Sequence, residues 1–187
     1  FTCELARARA GELMDSRDGL AGLNAFTAMT SAAMPEREAH DAVFRGAEIL
    51  LDAMMADDAA HWLPLFVRWE VGLLDALGFG LDFSECAATG VKYDLAYISP
   101  RTGRAVSREG AGIYAPRLFE LPKFLLGAEA GAPGAQDVVA GLALTGYFLL
   151  ERVLEPHGKD MPPARLKLDE IAERLAGSAT MAIPESE

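Results

Sequence analysis

Three histidines, two cysteines and paired acids such as Asp57-Asp58 are the side chains of this chain best suited to chemistry, and their spacing limits what they could do. His40, His61 and His157 stand singly, with no Gly-x-Ser-x-Gly elbow and no reactive-cysteine setting to complete a nucleophile and base. Glu36 and His40 are four residues apart and could share a ligand on one helix face. A metal needs a third protein ligand, and none has a recognisable spacing. Asp57 and Asp58 could in principle move protons, yet adjacent carboxylates in a polar turn serve solubility. A phosphate-cradling loop needs glycines followed by Lys-Ser or Lys-Thr, which the chain lacks, and Gly78-Phe79-Gly80 is missing the third glycine of a dinucleotide turn. No catalytic residue is expected, and the chain reads as a binding protein rather than an enzyme.

Cys86 opens a turn-rich stretch of the kind that small metal knuckles occupy. A tetrahedral zinc site there would take thiolates from positions 86, 89, 107 and 110, two pairs at Cys-x-x-Cys spacing. The sequence instead has Cys86, Thr89, Ser107 and Gly110. One thiolate does not hold zinc, so the expectation is a degenerate knuckle without metal or other cofactor, stabilised by packing of Tyr93, Leu95, Tyr97, Ile98 and Val106. Cys3 lies far from Cys86, which argues against a disulfide framework and fits a reducing compartment.

The elements that must position these residues are mostly helical. Trp62, Phe66, Trp69, Leu73 and Leu77 recur every three or four residues and predict a strong helix over 61–77, with Pro64 in its first turn and Gly78-Phe79-Gly80 as its stop. Residues 4–14 and 20–34 predict two earlier helices, separated by the capping turn Asp15-Ser16-Arg17-Asp18, and residues 36–55 predict a third after Pro35. Turn residues punctuate 81–116. Helical spacing returns over 117–126, 135–154 and 166–176, and the end from 177 to 187 is expected to fray. The fold class expected is therefore mainly α, a helical bundle with a small inserted turn-rich β knuckle, divided as 1–80, 81–116 and 117–176.

Charge narrows the partners further. Seventeen Lys and Arg face 28 Asp and Glu among 187 residues, a net charge of -11, so a chain-wide grip on phosphate is excluded. The exception is residues 91–123, where Lys92, Arg101, Arg104, Arg108, Arg117 and Lys123 outnumber Asp94, Glu109 and Glu120. No run reaches the roughly 20 apolar residues of a membrane span. The chain opens Phe1-Thr2-Cys3-Glu4, without an initiator Met or a cationic flank.

Five strings carry a resemblance: FTCEL at 1–5, MPEREAH at 34–40, VRWEVGLLDALGF at 67–79, LDFSECAATG at 81–90 and DLAYISPRTGRAVSRE at 94–109. Together they resemble the C-terminal region of the RecO family of bacterial recombination mediators, in its alphaproteobacterial form. The resemblance implies an N-terminal OB-fold barrel that this chain lacks, with residues 1–4 as its last strand and that barrel as the main surface for single-stranded DNA. It implies a non-enzymatic role in gap repair: strand annealing and RecA loading with RecR, in the cytoplasm at the nucleoid. It also implies that the helical region receives the acidic C-terminal tail of single-stranded-DNA-binding protein, whose apolar end and free carboxylate require an apolar groove rimmed by a cation.

Arg68 is the expected carboxylate partner, with Leu73 as a wall and Lys159 and Arg165 contributing; Pro162-Pro163 departs from the family's basic stretch. Arg101, Arg104 and Arg108 are candidates for DNA or RecR. The bland alternatives stay open: Arg68 lying over the core beside a surface acid, the knuckle arginines forming a solvated face, and the whole region serving as a dimerising helical domain without a peptide ligand.

Overall fold

Asp58 starts the central helix by accepting the backbone N–H of Ala60 at 3.0 Å, and its carboxylate also meets His61 Nδ1 at 2.9 Å. These contacts satisfy donors that a helix start leaves open. The computed structural model describes residues 9–56, 58–127 and 132–181. The expected barrel strand at residues 1–4, Cys3, Asp57 and the last residues of the expected frayed end lie outside them.

The bundle comprises α1 (Arg9–Glu12), α2 (Arg17–Ala33), α3 (Asp41–Ala56), α4 (Ala59–Ala76), α6 (Ala135–Leu149) and α7 (Pro163–Met181). Ser16 caps α2 as expected, accepting from the Gly19 N–H at 3.0 Å. Helix α4 begins earlier than its apolar spacing suggested, so Pro64 sits buried in the second turn rather than the first. Trp62, Phe66, Leu73 and Leu74 of α4 are buried, with α3 and α6 packed on it. Two close approaches depend on missing side chains: a Cβ on Gly22 would lie 2.8 Å from the Trp62 ring, and one on Gly141 would lie 2.9 Å from a Val67 methyl. Helix α6 continues into a π turn, Leu150–Leu154, and then a short 3-10 turn before Gly158.

The knuckle is a three-stranded antiparallel sheet in the order β2-β1-β3, formed by β1 (Leu95–Ile98), β2 (Ala105–Ser107) and β3 (Phe119–Glu120). A bulge between Leu95 and Tyr97 shifts the β1–β2 register, and α5 (Arg108–Ala111) follows β2 directly. Leu95, Ile98 and Val106 fill its interior as expected, whereas Tyr93 is 73% exposed and contributes no packing there.

Two expectations are corrected. Residues 117–126 form no α-helix: Pro116 and Pro122 interrupt helical hydrogen bonding, and Leu121 donates its N–H to the Ala96 carbonyl at 2.9 Å, joining the β1 edge. The segment is β3 flanked by 3-10 turns, so the sheet extends past residue 116. Helix α7 runs on to Met181, beyond the predicted end at 176.

Candidate functional site

Arg68 lies on the exposed side of α4, where its Nη2 donates to the Phe124 carbonyl at 2.7 Å and its guanidinium stands 5.8 Å from the centre of the Phe124 ring. To one side runs a groove of about 340 Å³ between α3 and α4, lined by Val43, Gly46, Ile49, Leu65, Trp69 and Gly72. To the other side is a cleft of about 290 Å³ at Val71, Phe83 and Leu125. Arg68 is therefore a cation between two apolar hollows.

The groove exists because Gly46 and Gly72 put no side chain into the seam between the two helices. Trp69 is wedged against Phe26 and Phe66, with ring centres 4.9 and 5.6 Å away. Its Cδ1 edge would be 3.5 Å from a Cβ on Gly46, so the pyrrole side faces α3. The indole nitrogen beside that edge is buried and has no hydrogen-bond partner among the described residues. Leaving such a donor unpaired costs about 1–3 kcal/mol.

The other expected peptide contacts are not at this groove. Leu73, the residue after Gly72, points into the core and is completely buried. Lys159 spends its ammonium on the Ala32 carbonyl at 2.7 Å. Arg165 is 0% exposed: Nε and Nη2 pair with Glu70 at 2.6 and 3.0 Å, Nη1 with Asp169 at 2.9 Å, and Nη2 also with the Leu142 carbonyl at 2.9 Å. Burial works against this charge, but the Glu70 and then the Asp169 carboxylates outweigh it and raise the guanidinium pKa above its ordinary value. Trp69, Gly46 and Gly72 are the groove residues that sequence reasoning missed. The signal available was glycine inside two strongly apolar helices, where it needs a packing reason.

On the knuckle, Arg104 pairs with Asp82 and Glu85 at 3.2 and 3.4 Å, and Arg108 pairs with Asp94 at 3.3 Å. The Arg101 carbonyl accepts from Arg152 Nη2 at 3.2 Å, while its own guanidinium has no ion pair among the described residues. Thus the cationic trio is largely neutralised by neighbouring acids. The four knuckle positions do converge. Cys86 Sγ accepts from the Ser107 N–H at 3.2 Å and hydroxyl at 3.4 Å, and Ser107 Oγ accepts from the Gly110 N–H at 3.1 Å. Burial alone pushes the Cys86 thiol up, but hydrogen bonds from Ser107, Thr89 and Ala88 outweigh it and bring it down to about 6.

These residues do not fit a zinc ion. Three of the four thiolates are replaced, and a Cβ on Gly110 would stand 2.8 Å from Cys86 Sγ, so the volume that a metal and a fourth ligand need is closed by packing. Glu36 and His40 likewise form no ligand set: His40 Nε2 is 3.5 Å from Glu38, and no group of three or more His, Cys, Asp or Glu among the described residues could hold a metal.

The family model described as "Recombination protein O C terminal" matches residues 14–161. The chain belongs to the RecO family. It is 49% identical over 176 residues to the DNA repair protein RecO of Cereibacter sphaeroides, covering 93% of this chain and 71% of that protein. The RecO of Paracoccus denitrificans is 50% identical over 169 residues, covering 90% of this chain and 66% of that protein, and the RecO of Caulobacter vibrioides is 49% identical over 162 residues, covering 86% and 65%. The chain thus spans about two thirds of the length of these relatives. No solved structure matches this RecO-family chain. Among the described residues no helix is long and apolar enough to cross a membrane.

Proposed function

We propose that this chain is the helical, partner-docking part of a DNA-repair recombination mediator, acting in gap repair with RecR and RecA and carrying out no covalent chemistry itself. Its RecO-family relatives support the repair role. The observation that carries the docking role is the α3–α4 groove, apolar along its length, with Arg68 at its rim and Trp69 in its wall. A peptide ending in an apolar residue and a free carboxylate fits that combination: the side chain enters the groove, and the carboxylate draws Arg68 from the Phe124 carbonyl. The C-terminal tail of single-stranded-DNA-binding protein is such a peptide. Single-stranded DNA is assigned chiefly to the part of the family's length outside this chain.

The test is fluorescence anisotropy at physiological salt with a labelled tail peptide. Micromolar-range binding is expected, and Arg68→Glu is expected to weaken it by about tenfold or more, as loss of a charged hydrogen bond implies. Unchanged affinity in that variant, or in a peptide with an amidated terminus, would remove the docking assignment. Exposed Phe44 and Ile49, on α3 beside the groove, favour a second reading in which two copies close it by self-association. Sedimentation over a range of concentrations separates the readings, since the docking form is a monomer with an open groove.

A further inference from the structure

A second groove lies on the other flank of the bundle, between α6, α7 and β3, with a volume of about 510 Å³ and no residue in common with the α3–α4 groove. Phe119, Ala143, Tyr147, Leu150, Met161 and Leu166 make it apolar. Phe119 and Tyr147, with tilted rings 4.9 Å apart at their centres, form one wall, and Leu166 is half exposed on the opposite one. The wall at Leu150 is where α6 gives way to its π turn, a local widening of the helix that recurs at functional sites.

The charge left unpaired in the lining of this groove has one sign. The one cation among the described residues that line it, Arg165, is fully spent on Glu70, Asp169 and the Leu142 carbonyl. Asp169 and Glu173 stand at the edge; the Asp169 side chain is 41% exposed, and Glu173 is exposed with no ion-pair partner among the described residues. Counting buried Glu70 against Arg165, the groove presents two carboxylates and no available cation. That pattern disfavours the occupants closest to hand. A second copy of this chain carries a net charge of -11, and its last residues include Glu185 and Glu187; an acidic peptide of the kind assigned to the α3–α4 groove meets the same repulsion.

We propose that the α6–α7 groove docks a basic, apolar-anchored segment of another protein, an amphipathic helix whose leucine-like side chains fill the groove while flanking Lys or Arg residues pair with Glu173 and Asp169. The two grooves then select partners of opposite charge, and both can be occupied at once. This does not depend on the identity of the ligand in the α3–α4 groove.

The probe is a short acetylated and amidated Lys/Leu helix with leucines at i, i+3, i+4 and i+7, titrated into the chain at about 0.15 M ionic strength. The control carries glutamine in place of every leucine at equal charge. Saturable binding of the probe is expected, weakened about tenfold by Glu173→Lys and to a similar degree by Ala143→Trp, which fills the groove without altering charge. The labelled acidic tail peptide is expected not to compete. Equal binding of the glutamine control, or wild-type affinity in Glu173→Lys, would overturn the proposal. So would self-association of the chain that Ala143→Trp abolishes, because the occupant would then be a second copy. Glu173 is exposed, so its variant remains informative if the tryptophan variant does not fold.

Discussion

Replacing Arg165 by methionine tests the reading that this arginine is part of the core rather than of a peptide site. Glu70 and Arg165 have 0% and 1% side-chain exposure and share two hydrogen bonds of 2.6 and 3.0 Å. Thr145 donates to Glu70 Oε2 at 2.5 Å, the oxygen that also accepts from Arg165 Nη2, and the Leu142 carbonyl takes part of the guanidinium. Three helices, α4, α6 and α7, therefore meet at one buried ion pair. Methionine keeps much of the volume but leaves Glu70 as an uncompensated charge, which costs about 3–5 kcal/mol, a large fraction of the roughly 5–15 kcal/mol typical of a domain. Glu70→Leu alone should cost less, because Asp169 and the Leu142 carbonyl still hold the Arg165 guanidinium. The double variant Glu70→Leu/Arg165→Met should recover most of the loss, because an apolar pair of similar volume is often neutral relative to a buried ion pair. Urea unfolding followed by circular dichroism reads all four proteins, with an unchanged slope confirming a comparable transition. The reasoning fails if Arg165→Met costs less than about 1 kcal/mol, the range of an exposed pair, or if the double variant loses the sum of the single losses, which would put the coupling at zero.

The knuckle should titrate as a hydrogen-bonded thiolate. Because the folded Cys86 pKa is lowered from its ordinary value near 9.0 to about 6, the unfolded chain binds the extra proton between those limits. Stability should therefore rise with pH from about 6 to 9 and be lost as pH falls through 6. Cys86→Ser should flatten that rise relative to wild type, and a parallel pair of pH profiles would refute the assignment. Protein purified from zinc-supplemented medium should show no stoichiometric zinc by elemental analysis and an unchanged melting curve with chelator, whereas one zinc per chain would contradict the closed packing at Gly110. Gly141→Leu should destabilise by about 1–3 kcal/mol, since even a Cβ there meets Val67; a melting temperature at or above wild type would show that α4 and α6 can separate without cost.

The parts of this fold legible in the sequence are those governed by local rules. The spacing of Trp62, Phe66, Trp69 and Leu73 placed α4, and the turn 15–18 marked where α2 begins to within three residues, at Arg17 rather than Leu20, because helix periodicity and capping act within a few residues. The convergence of Cys86, Thr89, Ser107 and Gly110 was also readable, since two short turns of fixed spacing bring them together. Segment 117–126 was misread because its apolar spacing suits a helix, while the free edge of β1 that captures Leu121 lies more than 20 positions upstream. Arg165 was misread for a related reason. A lone arginine after two prolines looks solvated, and its partner Glu70 is 95 residues away on a helix whose neighbouring residues are apolar. Trp69 was legible as a core residue, but the lack of a partner for its N–H depends on what the other helices pack around it.

Three consecutive residues of α4 connect these observations. With 3.6 residues per turn, Arg68, Trp69 and Glu70 project in three directions: to Phe124 below the knuckle, to α2 and α3, and to the ion pair with α7. Glu70 fixes the rotation of α4 against α6 and α7, and that rotation sets where Arg68 and Trp69 stand at the α3–α4 groove. A variant at Arg165 can therefore lose affinity for an acidic tail peptide without touching it, through a change in the pitch or order of α4. Conversely, Arg68→Glu leaves the core contacts of α4 intact and should alter binding with little change in stability. The ratio of lost affinity to lost stability consequently separates a residue that contacts the peptide from one that holds the helix presenting it, and assigns Arg68 to the first class and Arg165 to the second.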